Sequence, residues 1–201
     1  MVALGKLQGF PPAVNMARLV WDEELAFVAQ AKAEQCTSAK GEYNHDNWHD
    51  RFTTKFKATG QNLVFRGINF SFSSTDWPGR IKEWFMEYDD YPSEQRLEFR
   101  PLPTSKSMIG HFTQLVWAKT SYVGCGFVEY SIIRAVNLTH MQLYVCNYAV
   151  TGNVFRKPLY QEGPACSACP KGTVCDNAFG LCGITAADKE SGTTKKTSGP
   201  A

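Results

Sequence analysis

His111 and Gln114 are three residues apart in the run Gly110-His111-Phe112-Thr113-Gln114-Leu115-Val116-Trp117-Ala118-Lys119-Thr120. At helical spacing they share one face, while Leu115, Val116 and Ala118 pack inward. An imidazole there can move a proton or ligate a divalent ion, although a single histidine is more often structural. Gly110 marks the start of the element; Gly124 and Gly126 end it and bracket Cys125 as the chain turns toward a strand. A second group with chemical potential is Cys166, Cys169, Cys175 and Cys182, set among Gly, Pro, Ser, Ala and Asn with too few apolar residues for a core. Such a segment needs staples, and its Cys-x-x-Cys spacing fits either disulfides or a bound zinc.

The elements that must hold these groups read as follows. Residues 17–36 carry Leu19, Trp21, Leu25, Val28, Ala29 and Ala33 at helical intervals, with Asp22, Glu23, Glu24 and Lys32 on the wet face. Residues 37–60 are polar and predict a long loop, followed by a short apolar run at 61–65. Pro78 and Gly79 introduce a second amphipathic helix over 80–91, with Ile81, Trp84, Phe85 and Tyr88 inward. Residues 89–107 read as an irregular connection. Strands over 123–133 and 140–148 form an antiparallel pair that can bring Cys125 and Cys146 into disulfide range. Residues 1–15 read as a short lead-in, and the Ser/Thr/Lys/Gly-rich end from 189 as disordered.

The chain has 201 residues, 43% of them hydrophobic, enough for one substantial core. Its 21 basic and 19 acidic residues give a net charge of +2, which excludes a general electrostatic pull toward nucleic acid. No apolar stretch reaches the ~20 residues of a membrane span. The amino terminus has no signal-peptide core, so the sequence reads as a mature chain whose leader is gone. Asn69-Phe70-Ser71 and Asn137-Leu138-Thr139 are glycosylation sequons and support a secreted, extracellular location.

The run 110–126 resembles the first signature of the CAP superfamily of cysteine-rich secretory, antigen 5 and pathogenesis-related proteins. Tyr144-Val145-Cys146-Asn147-Tyr148-Ala149, continuing to Gly163, is similar to the second signature, and residues 16–163 follow the family pattern. The tail from Gly163 to Cys182 resembles the hinge of antigen 5-like venom or salivary proteins. The resemblance implies an α+β fold, a three-layer α-β-α sandwich with a central antiparallel sheet over 1–163. A disulfide-stapled hinge over 164–183 and a disordered tail over 184–201 would follow. It favours disulfides over zinc in the tail, with Cys125 paired to Cys146, Cys166 to Cys175 and Cys169 to Cys182. The lead-in lacks the family's His-Asn-x-x-Arg helix start, so the first helix is expected to be incomplete. Cys36 is left over, and the cysteine that pairs with the matching position in antigen 5 proteins is missing here. A free thiol, or a covalent dimer of an otherwise monomeric protein, is the expected outcome.

The family's central cleft is lined by two histidines and two acidic residues. His111 matches one histidine and Glu87, in Trp84-Phe85-Met86-Glu87, one acid. His45 matches the other histidine, with His49 as its alternative. Gln61 stands where most members have glutamate, a replacement that antigen 5 proteins share. Two imidazoles, His45 and His111, with Glu87 nearby make a plausible site for Zn2+ or another divalent cation, with no cofactor required. The alternative is a buried hydrogen-bonded network that holds the elements together. No serine or thiolate nucleophile can be assigned beside these histidines. The resemblance therefore points to a non-enzymatic secreted protein that binds lipids, sterols or small amphiphiles and modulates host physiology or immunity. Trp21, Phe27, Trp84, Phe85, Tyr88 and Trp117 are candidates for an apolar channel. Phe70, Phe72 and Trp77 in 69–77 are candidates for presentation to a partner. A protein ligand of a host receptor, channel or immune factor, and a metal-dependent hydrolase using His45, Glu87 and His111, are the alternatives.

Overall fold

A computed structural model describes residues 1–36, 44–68, 74–103, 108–134 and 137–184. Three long strands, β2 (Gly60–Ile68), β3 (Tyr122–Arg134) and β4 (Asn137–Ala149), form the sheet. The two-residue β1 (Val20–Trp21) is added parallel to β3, giving the order β1-β3-β4-β2. The sheet is thus antiparallel through its long strands and mixed only at this short edge. Helix α1 (Glu23–Glu34) covers one face. Helix α2 (Trp77–Met86) and the short α3 (Gly110–Leu115) cover the other.

Alternation of side chains sorts each strand between these layers. Leu63, Leu143 and Val145 pack with Ala29 and Ala33 of α1. Cys146 and Tyr148, one residue out of phase, pack with Trp84 of α2. Cys125 pairs with Cys146 in register and is bonded to it, so the disulfide lies on the α2 face.

The predicted helix over 17–36 begins later than its periodicity indicated. Asp22 caps α1 by accepting the Leu25 N–H at 3.0 Å, and the residues before it extend to pair with β3. Leu19 and Trp21 consequently lie at the surface, while Asp22 and Lys32, assigned to the wet face, are buried. Helix α2, by contrast, starts earlier than expected, at Trp77, because Asp76 caps it through the Gly79 N–H and Pro78 is tolerated in its first turn. It ends at Met86 in a 3-10 turn over Glu87–Asp89.

Gly124 and Gly126 lie within β3 instead of ending a helix. A Cβ at Gly124 would fall on the backbone of Ala26, and one at Gly126 on that of Gln30. Their bareness lets α1 lie directly on the strand. Gly126→Ala is therefore expected to lower stability by about 1–3 kcal/mol through overpacking. Chemical denaturation of the two proteins would measure it, and an unchanged midpoint would show that the helix can lift without cost.

The amino-terminal residues are no loose lead-in. Val2, Ala3, Leu7, Phe10 and Met16 are buried with Phe112, Trp117, Leu159 and Tyr160 in the largest core cluster. The tail is laced to this region. Cys182 donates its N–H to Met16 and accepts one from Arg18, and Arg18 pairs with Asp176. Cys166–Cys175 and Cys169–Cys182 are bonded as the resemblance implied, around a hairpin of β5 (Val174–Asp176) and β6 (Leu181–Gly183). Cys36 is a half-buried free thiol. Asn69, Phe70, Phe72 and the end from residue 185 lie outside the described residues; Asn137 opens β4.

Candidate functional site

Glu87 and His111 come together because α2 ends where α3 begins to pack. Glu87, the residue that caps α2, accepts the backbone N–H groups of His111 at 2.9 Å and Phe112 at 3.1 Å through Oε2. Its other oxygen lies 2.6 Å from His111 Nδ1. One carboxylate thus satisfies two otherwise orphaned donors in the first turn of α3 and orients the imidazole. The Trp84 ring stacks over His111, centroids 5.9 Å apart.

The second half of the site is built on the opposite face of the sheet. Gln61 sits on the edge strand β2 opposite Asn147 of β4, facing α1. Its Nε2 donates to Asn147 Oδ1 and Asp46 Oδ2, both at 3.1 Å. Its Oε1 accepts the Asp46 N–H at 3.3 Å and lies 2.9 Å from His45 Nδ1. Because Oε1 is an acceptor only, Nδ1 of His45 carries the proton. Neighbouring Asn62 points the other way and donates to the His111 carbonyl at 3.2 Å. The two halves therefore meet around β2, the last strand in the sheet order, and His45, Gln61 and His111 line one cavity of about 460 Å³.

Glu87 is committed to α3 and does not line that cavity. His49 is in a separate 3-10 turn over Trp48–Asp50 and stacks on Trp48. Gln114, on the same predicted face as His111, is buried elsewhere. It accepts the Gly152 N–H and donates to Thr120 Oγ1, which ties α3 to the segment after β4. The opposite wall of the cavity is apolar, formed by Leu63, Phe99, Pro101, Leu102, Met108 and Ile109. These wall residues, with Lys32 and Asp46, were missed. Phe99, Pro101, Leu102 and Met108 come from segments without periodicity, whereas Leu63 lies on β2 and Lys32 on α1, where the helical pattern put it on the wet face; only the His45-Asp46 adjacency hinted at Asp46.

Burial of the ring is the main influence holding the His45 pKa below the usual histidine value. The charges of Arg51 and His111 act in the same direction, against the hydrogen bond to Gln61. His45 as a whole residue is nonetheless exposed to solvent.

Two imidazoles, His45 and His111, line the cavity, but the cleft does not bring three His, Cys, Asp or Glu ligand atoms within 4.8 Å of one another among the described residues. A ligating histidine is normally oriented by a partner at its other nitrogen. Glu87 is that partner for His111 and Gln61 for His45, which leaves both Nε2 atoms for a ligand. Among the described residues the sole group of three or more His, Cys, Asp or Glu ligand atoms within 4.8 Å is Cys166, Cys169 and Cys182, whose sulfurs are already in disulfides. The cleft offers two imidazoles and room for other ligands, as in an open site.

The larger apolar cavity, about 570 Å³, lies between α2 and the β1–β3 edge. Trp21, Trp77, Ile81, Leu115 and Phe127 wall it, with Tyr148 and the Cys125–Cys146 disulfide also in its lining. Of the aromatics proposed for a channel only Trp21 belongs here. Trp84 and Trp117 are core residues, Phe85 and Tyr88 pack on Phe112, and Phe27 is 75% exposed on the outer side of α1. Trp77 is held edge-to-face on Tyr144 at 4.9 Å.

Among the described residues no helix is long and apolar enough to cross a membrane. A cysteine-rich venom protein of Tityus serrulatus is 40% identical over 177 residues, 87% of this chain and 40% of its own length. Venom allergen-1 of Aedes aegypti is 38% identical over 174 residues, 85% of this chain and 62% of its own. The chain spans less than half the length of the Tityus protein and of a 37% identical CRISP/Allergen/PR-1 protein of Trittame loki, of which it covers 45%. The crystal structure of NaASP2 with Zn2+ matches with a TM-score of 0.65 and 29% identity, over 90% of this chain and 86% of that one. The model of the cysteine-rich secretory protein family, CAP, matches residues 9–148. The chain belongs to the CAP family.

Proposed function

We propose that this chain is a secreted, non-enzymatic CAP protein that captures a lipid or small amphiphile and thereby modulates the physiology or immunity of a host. The observation that carries the reading is the apolar cavity between α2 and the β1–β3 edge. Its volume is in the range of small-molecule sites. Large apolar side chains such as Trp21 and Ile81 remain 52% and 45% exposed around it, as an apolar binding surface requires. The venom and allergen names of the relatives support secretion and a role outside the cell. Half-buried Cys36 is the position through which a covalent dimer would form.

The test is displacement of a fluorescent fatty acid or sterol from the full chain. Ile81→Asp places a charge in the cavity wall without touching the core. It is expected to weaken capture at least about tenfold, since an unpaired charge beside a buried acyl chain is costly to desolvate. His111→Ala should leave capture unchanged. Equal affinity in wild type and Ile81→Asp would remove the ligand from this cavity.

A second reading, divalent metal in the cleft, is favoured by the way Glu87 and Gln61 fix both Nδ1 atoms. NaASP2, of the same fold, was crystallised with Zn2+. Such an ion would supply Lewis acidity at the cavity. The residues of the chain itself orient the imidazoles and present an apolar wall opposite them. A bound ion could itself activate water, but Glu87, engaged by α3, would be poorly placed to serve as a base.

A further inference from the structure

Lys32 is a buried charge on a helix face that otherwise presents Leu25, Ala29 and Ala33 to the sheet. Its side chain is 7% exposed, and Nζ lies 3.2 Å from Asp46 Oδ1 and 3.3 Å from Gln35 Oε1. A buried ion pair is weak support for stability, since an apolar pair of similar size often does as well; its better attested use is to specify one arrangement.

The arrangement specified here is that of the cleft. Asp46 meets Lys32 with one oxygen and the Gln61 amide with the other. Gln61 is thereby held with its NH2 toward two acceptors, Asp46 Oδ2 and Asn147 Oδ1. Its oxygen faces the Asp46 N–H and His45 Nδ1. A flipped amide would set oxygen against oxygen on one side and NH2 against N–H on the other. A glutamate at 61 would set a carboxylate beside that of Asp46. In this chain an acid stands instead at position 46, behind Gln61, and Lys32 neutralises it.

We propose that Lys32 is a positioning residue for the cleft: by holding Asp46 it locks the Gln61 amide, and through it the Nδ1–H tautomer of His45, leaving Nε2 free to ligate. The tautomer stands on geometry alone; its consequence for metal rests on the second reading above.

The experiment uses the full oxidised chain, metal-free and 15N-labelled at histidine, held above the histidine titration range. Imidazole 15N shifts report the tautomer. Wild type is expected to show His45 as Nδ1–H alone, Lys32→Met a mixture with Nε2–H, and Lys32→Arg the wild-type pattern. His111, held by Glu87, should not change and serves as the internal control. Zinc affinity in Lys32→Met should fall about 10- to 100-fold, the usual effect of losing a residue behind a ligand. A single Nδ1–H tautomer retained in Lys32→Met, or an Nε2–H tautomer in wild type, overturns the proposal. If Lys32→Met does not fold, the double variant Lys32→Met, Asp46→Leu removes both charges together and leaves none unpaired. It is expected to show the same mixture, and a pure Nδ1–H state there is equally fatal. Absence of zinc binding by wild type would overturn the metal reading, while the tautomer comparison would still decide the role of Lys32.

Discussion

Glu87→Ala is expected to destabilise the protein by about 3 kcal/mol, from the cost of leaving buried donors without a partner. Two backbone N–H groups of α3 and the His111 ring all address this one carboxylate, which is 13% exposed. Alanine offers them nothing, and α3 is only six residues long, so the loss cannot be spread over further turns. Glu87→Gln keeps one acceptor oxygen but turns an NH2 toward a donor, and should cost less than alanine. Thermal or urea unfolding of the three proteins would measure the order. Wild-type stability in Glu87→Ala would show that water replaces the carboxylate and that Glu87 is free for chemistry. The same geometry bears on any search for activity. A variant lacking Glu87 confounds folding with function, whereas His111→Ala does not remove the acceptor for the two backbone groups.

His111→Ala is the second large effect expected: zinc binding in the cleft should weaken by at least about 100-fold, because one of two imidazole ligands is lost. Calorimetry on both proteins, with circular dichroism to confirm the fold, is the direct measurement. The pH dependence has a definite sign. Only neutral imidazole ligates, so protons compete with metal and affinity falls as pH drops through the histidine range near ~6.5. The lowered pKa of His45 keeps that ring deprotonated at neutral pH, so proton competition at His45 begins only at lower pH. Unchanged zinc affinity in His111→Ala would place the metal elsewhere in the molecule.

The signature residues around His111 and the cysteine order were enough to identify the family, and the resemblance implied the disulfide pairs found here. Those properties are written locally: Gly110-His111 opens α3, and alternation along 123–148 sets Cys125 opposite Cys146. Helix boundaries were less legible. Asp22 and Asp76 cap their helices by accepting backbone N–H groups, and for Asp22 the extended residues before it are held by pairing with β3. Periodicity alone carried α1 through Leu19 and Trp21 because apolar residues in a short edge strand look the same as a helical stripe.

What only the tertiary structure decided is where each polar group points. Gln61 and Asn62 are adjacent in sequence, yet the strand sends one to the α1 side and the other to α3. Because β2 is the sheet edge, the two sides meet there, and His45 comes to share a cavity with His111. Lys32 is charged in any reading of the sequence, and its burial depends on Asp46, fourteen positions further on, meeting it at 3.2 Å. Glu87 is acidic in any reading too, but its binding to the first turn of α3 turns a candidate catalyst into a structural acceptor. Residue type and spacing are local properties of the chain, whereas burial and hydrogen-bond partners are set by contacts between residues far apart in it.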